Sequence, residues 1–227
     1  MTLLNSSIFE EISKRIVNWW VKNKRDYPWR HERDPYKVLI AEIMLQRTKA
    51  DQVVPVYLDF IKRYPTIHDL AKASAKDVET FFARLGLRWR AARVIEMAKY
   101  ITEKAGGTIP DTREELLKIP MIGEYIADAI LVFAYGKETA VVDSNVVRII
   151  GRIFGIKARG EARRDPRFRK IAQKLLLKGK AREYNWAVID FAARICTPRN
   201  PKCEVCPLKD LCRYALRQYI ERDKRRK

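Results

Sequence analysis

Apolar residues recur every three to four positions along most of the chain, which is the spacing of helices that bury one face. The first such stripe consists of Ile8, Ile12, Ile16 and Trp20. Comparable stripes predict helices over residues 36–48, 50–63, 66–72, 75–84, 90–104 and 182–195. The one strand-like run, residues 139–142, is too short to found a sheet. The pattern therefore predicts an all-α protein.

A helical hairpin is predicted within residues 114–148. A short helix ends in the apolar turn IPMIG, residues 119–123, and a second helix begins at once. Pro120 cannot continue the first helix, and Gly123 is expected to supply the backbone freedom that a tight turn needs. The first N–H groups of the second helix have no internal partners and attract an anion such as a phosphate.

Two carboxylates stand out as candidates for chemistry. Asp143 starts a helix about twenty residues beyond the hairpin turn. N-capping explains it about as well as a chemical role, but the phosphate-binding turn nearby favours chemistry. Glu42 lies among apolar residues of the helix after Pro35. Such a glutamate finds a partner, faces solvent or is held protonated for proton transfer, and the pattern alone favours exposure.

The charge of the chain indicates a polyanionic partner. Its 227 residues carry a formal net charge of +19, from 47 Lys and Arg against 28 Asp and Glu, and nucleic acid is the simplest explanation. A basic thermophilic surface is the alternative, although such surfaces normally balance the two signs. No apolar run approaches the ~20 residues that span a membrane, and no secretion signal is visible. We expect a cytoplasmic, nucleoid-associated protein.

The four cysteines lie close together near the C-terminal end. They are Cys196, Cys203, Cys206 and Cys212, separated by six, two and five residues. Disulfides are disfavoured without an export signal, and four thiols in so short a span can converge on one metal centre. Spacing alone leaves an iron–sulfur cluster and zinc open, because zinc accepts four cysteines but usually from two C-x-x-C pairs.

Together these motifs resemble the helix-hairpin-helix DNA glycosylases of the endonuclease III superfamily. VDSNVVR, residues 142–148, matches the V-D-x-N-V-x-R frame that follows the hairpin of that family. DPYKVLIAEIMLQRT, residues 34–48, is similar to the segment that carries the catalytic glutamate in adenine and archaeal mismatch thymine glycosylases. The resemblance runs from about Tyr27 to Cys212. Met121 departs from it, because the family usually has glycine at that position.

The resemblance implies a division of catalytic work. Glu42 would protonate the base and activate water, and Asp143 would stabilise the positive charge that develops on the sugar. Tyr125 stands where endonuclease III enzymes have a nucleophilic lysine. Tyrosine cannot form an imine, so a monofunctional glycosylase is predicted, with the Tyr125 hydroxyl lining the sugar pocket. The cysteine spacing matches the loop that holds a [4Fe–4S] cluster in the endonuclease III branch.

The resemblance also implies DNA contacts. Gln46 and Arg47 would fill the hole left by the extruded nucleotide, and Arg88 and Trp89 would form a second intercalating loop, although packing explains Trp89 equally well. The remaining predicted contacts are Met121 and Gly123 in the hairpin and Arg199 and Lys202 in the cysteine loop.

Two lobes with a cleft for the extruded base are expected, residues 25–135 and residues 1–24 with 136–227. The implied partner is double-stranded DNA containing a mismatched or damaged base, bound by a monomer. We favour thymine or uracil opposite guanine, because Arg47 fits the thymine enzymes and the extra C-terminal domain usual in adenine enzymes is not seen. Gln46 is closer to the adenine type, so removal of adenine opposite guanine or 8-oxoguanine is the alternative. A non-catalytic DNA-binding protein would be expected to lack one of the two carboxylates.

Overall fold

The computed structural model describes residues 6–158 and 164–224, and these residues form helices and connecting turns without a strand. The prediction of an all-α protein is confirmed. The chain divides into two compact units, one made of Asp26–Lys137 and the other of Met1–Arg25 together with Glu138–Lys227. None of the described helices is long and apolar enough to cross a membrane.

The continuous unit, Asp26–Lys137, is built around one almost completely buried helix. Its helices are α2 Pro28–His31, α3 Pro35–Leu45, α4 Ala50–Arg63, α5 Ile67–Ala71, α6 Ala75–Ala83, α7 Ala91–Lys104, α8 Arg113–Leu116 and α9 Glu124–Phe133. Asp34 caps α3 by accepting a hydrogen bond from the backbone N–H of Tyr36, and Pro35 occupies the first helical position. α3 packs against α4 and α9, and its apolar residues from Val38 to Met44 are buried.

Helix α3 ends at Leu45 rather than at Thr48, where the apolar pattern placed its end. Arg47 has a φ of +66°, a left-handed conformation that cannot continue a right-handed helix. Gln46 and Arg47 therefore lie in a turn beyond the helix.

The discontinuous unit joins the beginning of the chain to its end. It contains α1 Ser6–Asn23, α10 Ser144–Phe154, α11 Pro166–Lys174, α12 Ala181–Arg194 and α13 Arg213–Lys224. The Trp19 ring meets the Phe191 ring edge-on at a centroid distance of 5.5 Å. Asp190 on α12 is fully buried, and it accepts hydrogen bonds from Trp20 Nε1 (2.8 Å) and from Arg25 Nε (2.7 Å). These contacts fix α1 against α12 at the point where the chain leaves this unit.

Candidate functional site

Glu42 is buried and hydrogen-bonded. It lies in α3 with 5% of its surface exposed, so exposure to solvent, the alternative that the apolar pattern favoured, is wrong. Tyr125, in the first turn of α9, donates a hydrogen bond from its hydroxyl to Glu42 Oε2 at 2.9 Å. Burial of a carboxyl group is unfavourable without such partners. Helices α3 and α9 thus hold the Glu42 carboxyl group and the Tyr125 phenol in direct contact.

The hairpin turn adopts the predicted helix–turn–helix, but its strained residue is different from the one expected. Met121 has a φ of +68°, the conformation in which glycine is favoured, and Ile122 N donates to Ile119 O at 3.2 Å to close the turn. Gly123 has an ordinary φ of −95°. The expectation that Gly123 supplies the freedom of the turn is therefore wrong, and Met121 carries the backbone strain.

Gly123 has a different physical property. A Cβ atom added there would meet nothing within 4 Å, so packing within the protein does not require glycine. Gly123 is the N-cap of α9 and offers no side chain to the first N–H groups of that helix. These groups stay open to close approach by an anion.

A network of charged side chains ties the two hairpin helices together. Arg113 Nε donates to Asp128 Oδ1 at 3.0 Å, and Asp128 is fully buried in α9. Arg113 Nη2 also lies 3.7 Å from Glu124 Oε2. Glu124 places a carboxylate in the first turn of α9, where it reduces the attraction of the helix end for another anion.

Asp143 is the N-cap of α10, and its carboxylate is held by three donors. Oδ1 accepts from the backbone N–H groups of Asn145 (2.9 Å) and Val146 (2.8 Å), and Oδ2 accepts from Asn145 Nδ2 (2.6 Å). Asn145 Oδ1 in turn accepts from Arg148 Nη1 (3.0 Å), and Arg148 Nε donates to Cys196 O (2.9 Å). A continuous chain of hydrogen bonds thus links Asp143 to the first cysteine.

The two predicted intercalating segments lie in the same unit as Glu42. Gln46 is half-buried and Arg47 is exposed. Trp89 lies in a 3₁₀ turn with 59% of its surface exposed, which argues against an ordinary packing role. Arg88 Nε lies 3.2 Å from Glu79 Oε1 at the surface.

None of the four cysteines forms a disulfide, and all four line one small cavity. Arg152 Nη1 donates to Cys196 Sγ (3.3 Å), and Leu208 N donates to Cys206 Sγ (3.4 Å). Burial raises the pKa of the Cys206 thiol to about 12, so a positively charged group must supply the stabilisation of a thiolate. Four sulfurs around a cavity, with N–H donors pointing at them, fit a cysteine-ligated iron–sulfur cluster.

The same residues do not form a compact site for a single ion. Among residues 6–158 and 164–224, no group of three or more His, Cys, Asp or Glu side chains is arranged to hold one metal ion.

Arg199 and Lys202, in the segment between the first two cysteines, are exposed.

Comparison with known proteins identifies the family. A model described as HhH-GPD superfamily base excision DNA repair protein matches residues 40–178, more than half of the chain. The chain belongs to this HhH-GPD superfamily. A second model, the iron–sulfur binding domain of endonuclease III, matches residues 196–212. This protein is therefore a DNA glycosylase, which hydrolyses N-glycosidic bonds, and it carries a [4Fe–4S] cluster.

Several characterised members of the superfamily are similar along most of the chain. A thymine-DNA glycosylase of Aeropyrum pernix is 37% identical, with 94% of this chain and 98% of that protein covered. A thymine/uracil-DNA glycosylase of Methanothermobacter thermautotrophicus is 38% identical, with coverages of 88% and 90%. The human adenine DNA glycosylase is 35% identical over 92% of this chain but only 40% of its own length. A solved structure of a thermostable thymine-DNA glycosylase is 34% identical and superposes with a TM-score of 0.86, covering 94% of this chain and 100% of that one.

The structure distributes the predicted site residues over its two units. Asp26–Lys137 contains Glu42, Tyr125, both intercalating segments and the hairpin, and the discontinuous unit contains Asp143 and the cysteine loop. The supporting residues Asn145, Arg148 and Arg152 were not predicted as part of the site. Asn145 and Arg148 belong to the VDSNVVR segment, so the match of this segment to the family could have identified them.

Proposed function

We propose that this HhH-GPD protein is a monofunctional mismatch glycosylase that removes thymine or uracil paired with guanine and leaves an abasic site. The hydrogen bond from Tyr125 to Glu42 carries the monofunctional part of this proposal. An amine nucleophile at position 125 would attack the sugar and lead to strand cleavage, whereas a phenol in contact with the acid cannot form the imine. The thymine and uracil substrates of the two archaeal relatives support the choice of base.

In the proposed reaction Glu42 and Asp143 have separate roles in breaking the N-glycosidic bond. The bond between the anomeric carbon and the base nitrogen breaks, and its electron pair leaves with the base, which receives or shares the Glu42 proton. The Asp143 carboxylate, oriented by its three N–H donors, stabilises the oxocarbenium-like sugar. Water then adds to the anomeric carbon and returns a proton to Glu42.

The remaining site residues are assigned to DNA binding by the monomer. The open N-terminus of α9 after Gly123 would bind a backbone phosphate, and exposed Arg199 and Lys202 would bind further phosphates. The Gln46–Arg47 turn and exposed Trp89 would enter the base stack, which offsets the few kcal/mol that extrusion of a base costs.

Adenine removal is the second candidate, supported by Gln46 and by the similarity to the human adenine enzyme. Duplexes bearing G·T, G·U, A·8-oxoguanine and an oxidised pyrimidine distinguish the candidates when strand breakage is scored with and without alkali. We expect breakage at G·T and G·U only after alkali. Breakage without alkali would refute the monofunctional assignment, and preferential cleavage opposite 8-oxoguanine would establish the adenine alternative.

A matched variant identifies the acid in the same assay. Glu42→Gln keeps an acceptor for the Tyr125 hydroxyl but cannot donate a carboxylic proton. We expect it to bind the mismatched duplex and to release no base. Wild-type release by this variant would remove Glu42 from the mechanism.

A further inference from the structure

Arg90 is a buried arginine at the junction of the two predicted intercalating segments. Only 5% of its surface is exposed, and its Nη1 donates to the backbone carbonyl of Ile43 at 2.6 Å. Within the described part of the chain, no carboxylate is paired with it. Burying a guanidinium without a counter-charge costs free energy, and this cost suggests that Arg90 has a function at this position.

The carbonyl that Arg90 binds belongs to the end of α3. Ile43 is among the last four residues of this helix, where backbone carbonyls lack the regular intrahelical N–H donor of a following turn. The negative end of the helix dipole also favours a cation there. Glu42 immediately precedes Ile43, and the Gln46–Arg47 turn follows within one helical turn. Arg90 therefore binds the segment that separates the proposed acid from the proposed wedge.

The same guanidinium also contacts the second loop. Arg90 Cζ lies 4.9 Å from the centroid of the Trp89 ring, close enough for a cation–π interaction. Trp89 itself is largely exposed, so this contact restrains a ring that otherwise has few neighbours. One side chain thus touches both the end of α3 and the aromatic ring of the 3₁₀ turn.

Burial and neighbouring positive charges both disfavour the charged form of Arg90 at this position. Burial is the main cause that lowers the pKa of Arg90, and the neighbouring charges of Arg47 and Arg93 lower it further. Arg47 and Arg93 therefore lie close enough to Arg90 to repel its charge, yet Arg90 keeps its hydrogen bond to the Ile43 carbonyl.

We propose, building on the function proposed above, that Arg90 is a positioning residue that sets the Gln46–Arg47 turn and Trp89 in one arrangement around Glu42 before DNA binds. It touches no reacting atom. Without it the two loops must be ordered during extrusion of the base, and this raises the barrier to extrusion and release but leaves attraction to undamaged DNA largely intact.

Three variants test this role. Arg90→Met removes the hydrogen bond and the charge. Arg93→Met is the matched control, because it removes a neighbouring exposed charge that makes no hydrogen bond to Ile43. Arg90→Lys keeps a charged donor, and one donor is sufficient for a single N–H···O contact. Each variant is compared with wild type for thermal midpoint, affinity for undamaged duplex, fluorescence of 2-aminopurine beside a G·U pair, and single-turnover release of uracil.

We expect Arg90→Met to decrease the 2-aminopurine fluorescence change that reports extrusion of the base. The rate of uracil release should fall by about 10- to 100-fold, the usual effect of losing a charged hydrogen bond. Affinity for undamaged duplex should change only about as much as in Arg93→Met, and Arg90→Lys should recover most of the rate. Equal release rates in Arg90→Met and Arg93→Met would overturn the proposal.

Arg90→Gln, whose shorter side chain cannot reach Ile43, replaces the methionine variant if that protein does not fold. A wild-type enzyme that extrudes but releases no uracil would refute the proposed function alone, because the extrusion signal still tests Arg90.

Discussion

Replacing Asp143 with asparagine separates the two roles available to this side chain. As an N-cap, Asp143 Oδ1 accepts hydrogen bonds from two backbone N–H groups of α10, and an asparagine carbonyl can accept both. The two residues are comparably good N-caps, so the free energy of unfolding should fall by no more than about 1 kcal/mol. Asp143→Ala removes the cap and should cost about 0.5–2 kcal/mol, or about 1–8 °C in thermal midpoint for a chain of this size.

The effect of the same two variants on catalysis has a different pattern. Both remove the negative charge that opposes the developing charge on the sugar. Loss of one preorganised electrostatic group typically slows catalysis by about 10²- to 10³-fold. Asparagine and alanine should therefore be similarly slow, although they differ in stability.

Single-turnover release of uracil from a G·U duplex measures the catalytic rate. Thermal unfolding of the same samples measures how much the N-cap contributes to stability. Binding to a duplex with an uncleavable abasic analogue controls for DNA affinity. A wild-type rate in Asp143→Asn, with only a lower midpoint in Asp143→Ala, would show that Asp143 is a cap and nothing more. The mechanism proposed above would then lack its second carboxylate.

Three further substitutions have defined outcomes. Met121→Gly should raise the free energy of unfolding by up to about 1 kcal/mol in chemical denaturation, because relief of left-handed strain exceeds the entropy that glycine loses. Glu124→Gln removes a carboxylate from the first turn of α9 and should tighten binding to undamaged duplex, by a margin that shrinks as salt is raised in a titration. Arg148→Met breaks the link from Asn145 to Cys196 O and should slow uracil release about tenfold, with cluster absorbance as the control for iron content.

The helices and their starts were predictable because they depend on local interactions. The cap of α3 at Asp34 follows from neighbouring residues, as does the position of Pro35 after it. The four cysteines were equally accessible, since their spacing is a property of the chain itself. Burial of Glu42 was not predictable from periodicity, because its hydrogen-bond partner Tyr125 lies on α9, a helix that is distant in sequence.

Backbone conformation and long-range polar contacts were the harder features. The turn needs one residue with positive φ, and glycine was the natural choice, yet the strain falls on Met121 two positions earlier. Arg90 looked like one basic residue among many, because its partner is a backbone carbonyl 47 residues away. Asn145 and Arg148 belong to the VDSNVVR segment, but their connection of Asp143 to the cysteine loop depends on side-chain contacts that a sequence does not specify.

The packing of α1 on α12 has a consequence for biosynthesis. Trp20 and its hydrogen-bond partner Asp190 are 170 residues apart, so at roughly 5–20 residues per second a ribosome needs about 10–30 seconds to deliver the second after the first. During that interval the residues of α1 that pack on α12 lack their native partners, while the continuous segment Asp26–Lys137 can already collapse. The face of α1 that packs on α12 is therefore exposed until the C-terminal third of the chain has been synthesised, and exposed apolar surface of this kind promotes aggregation.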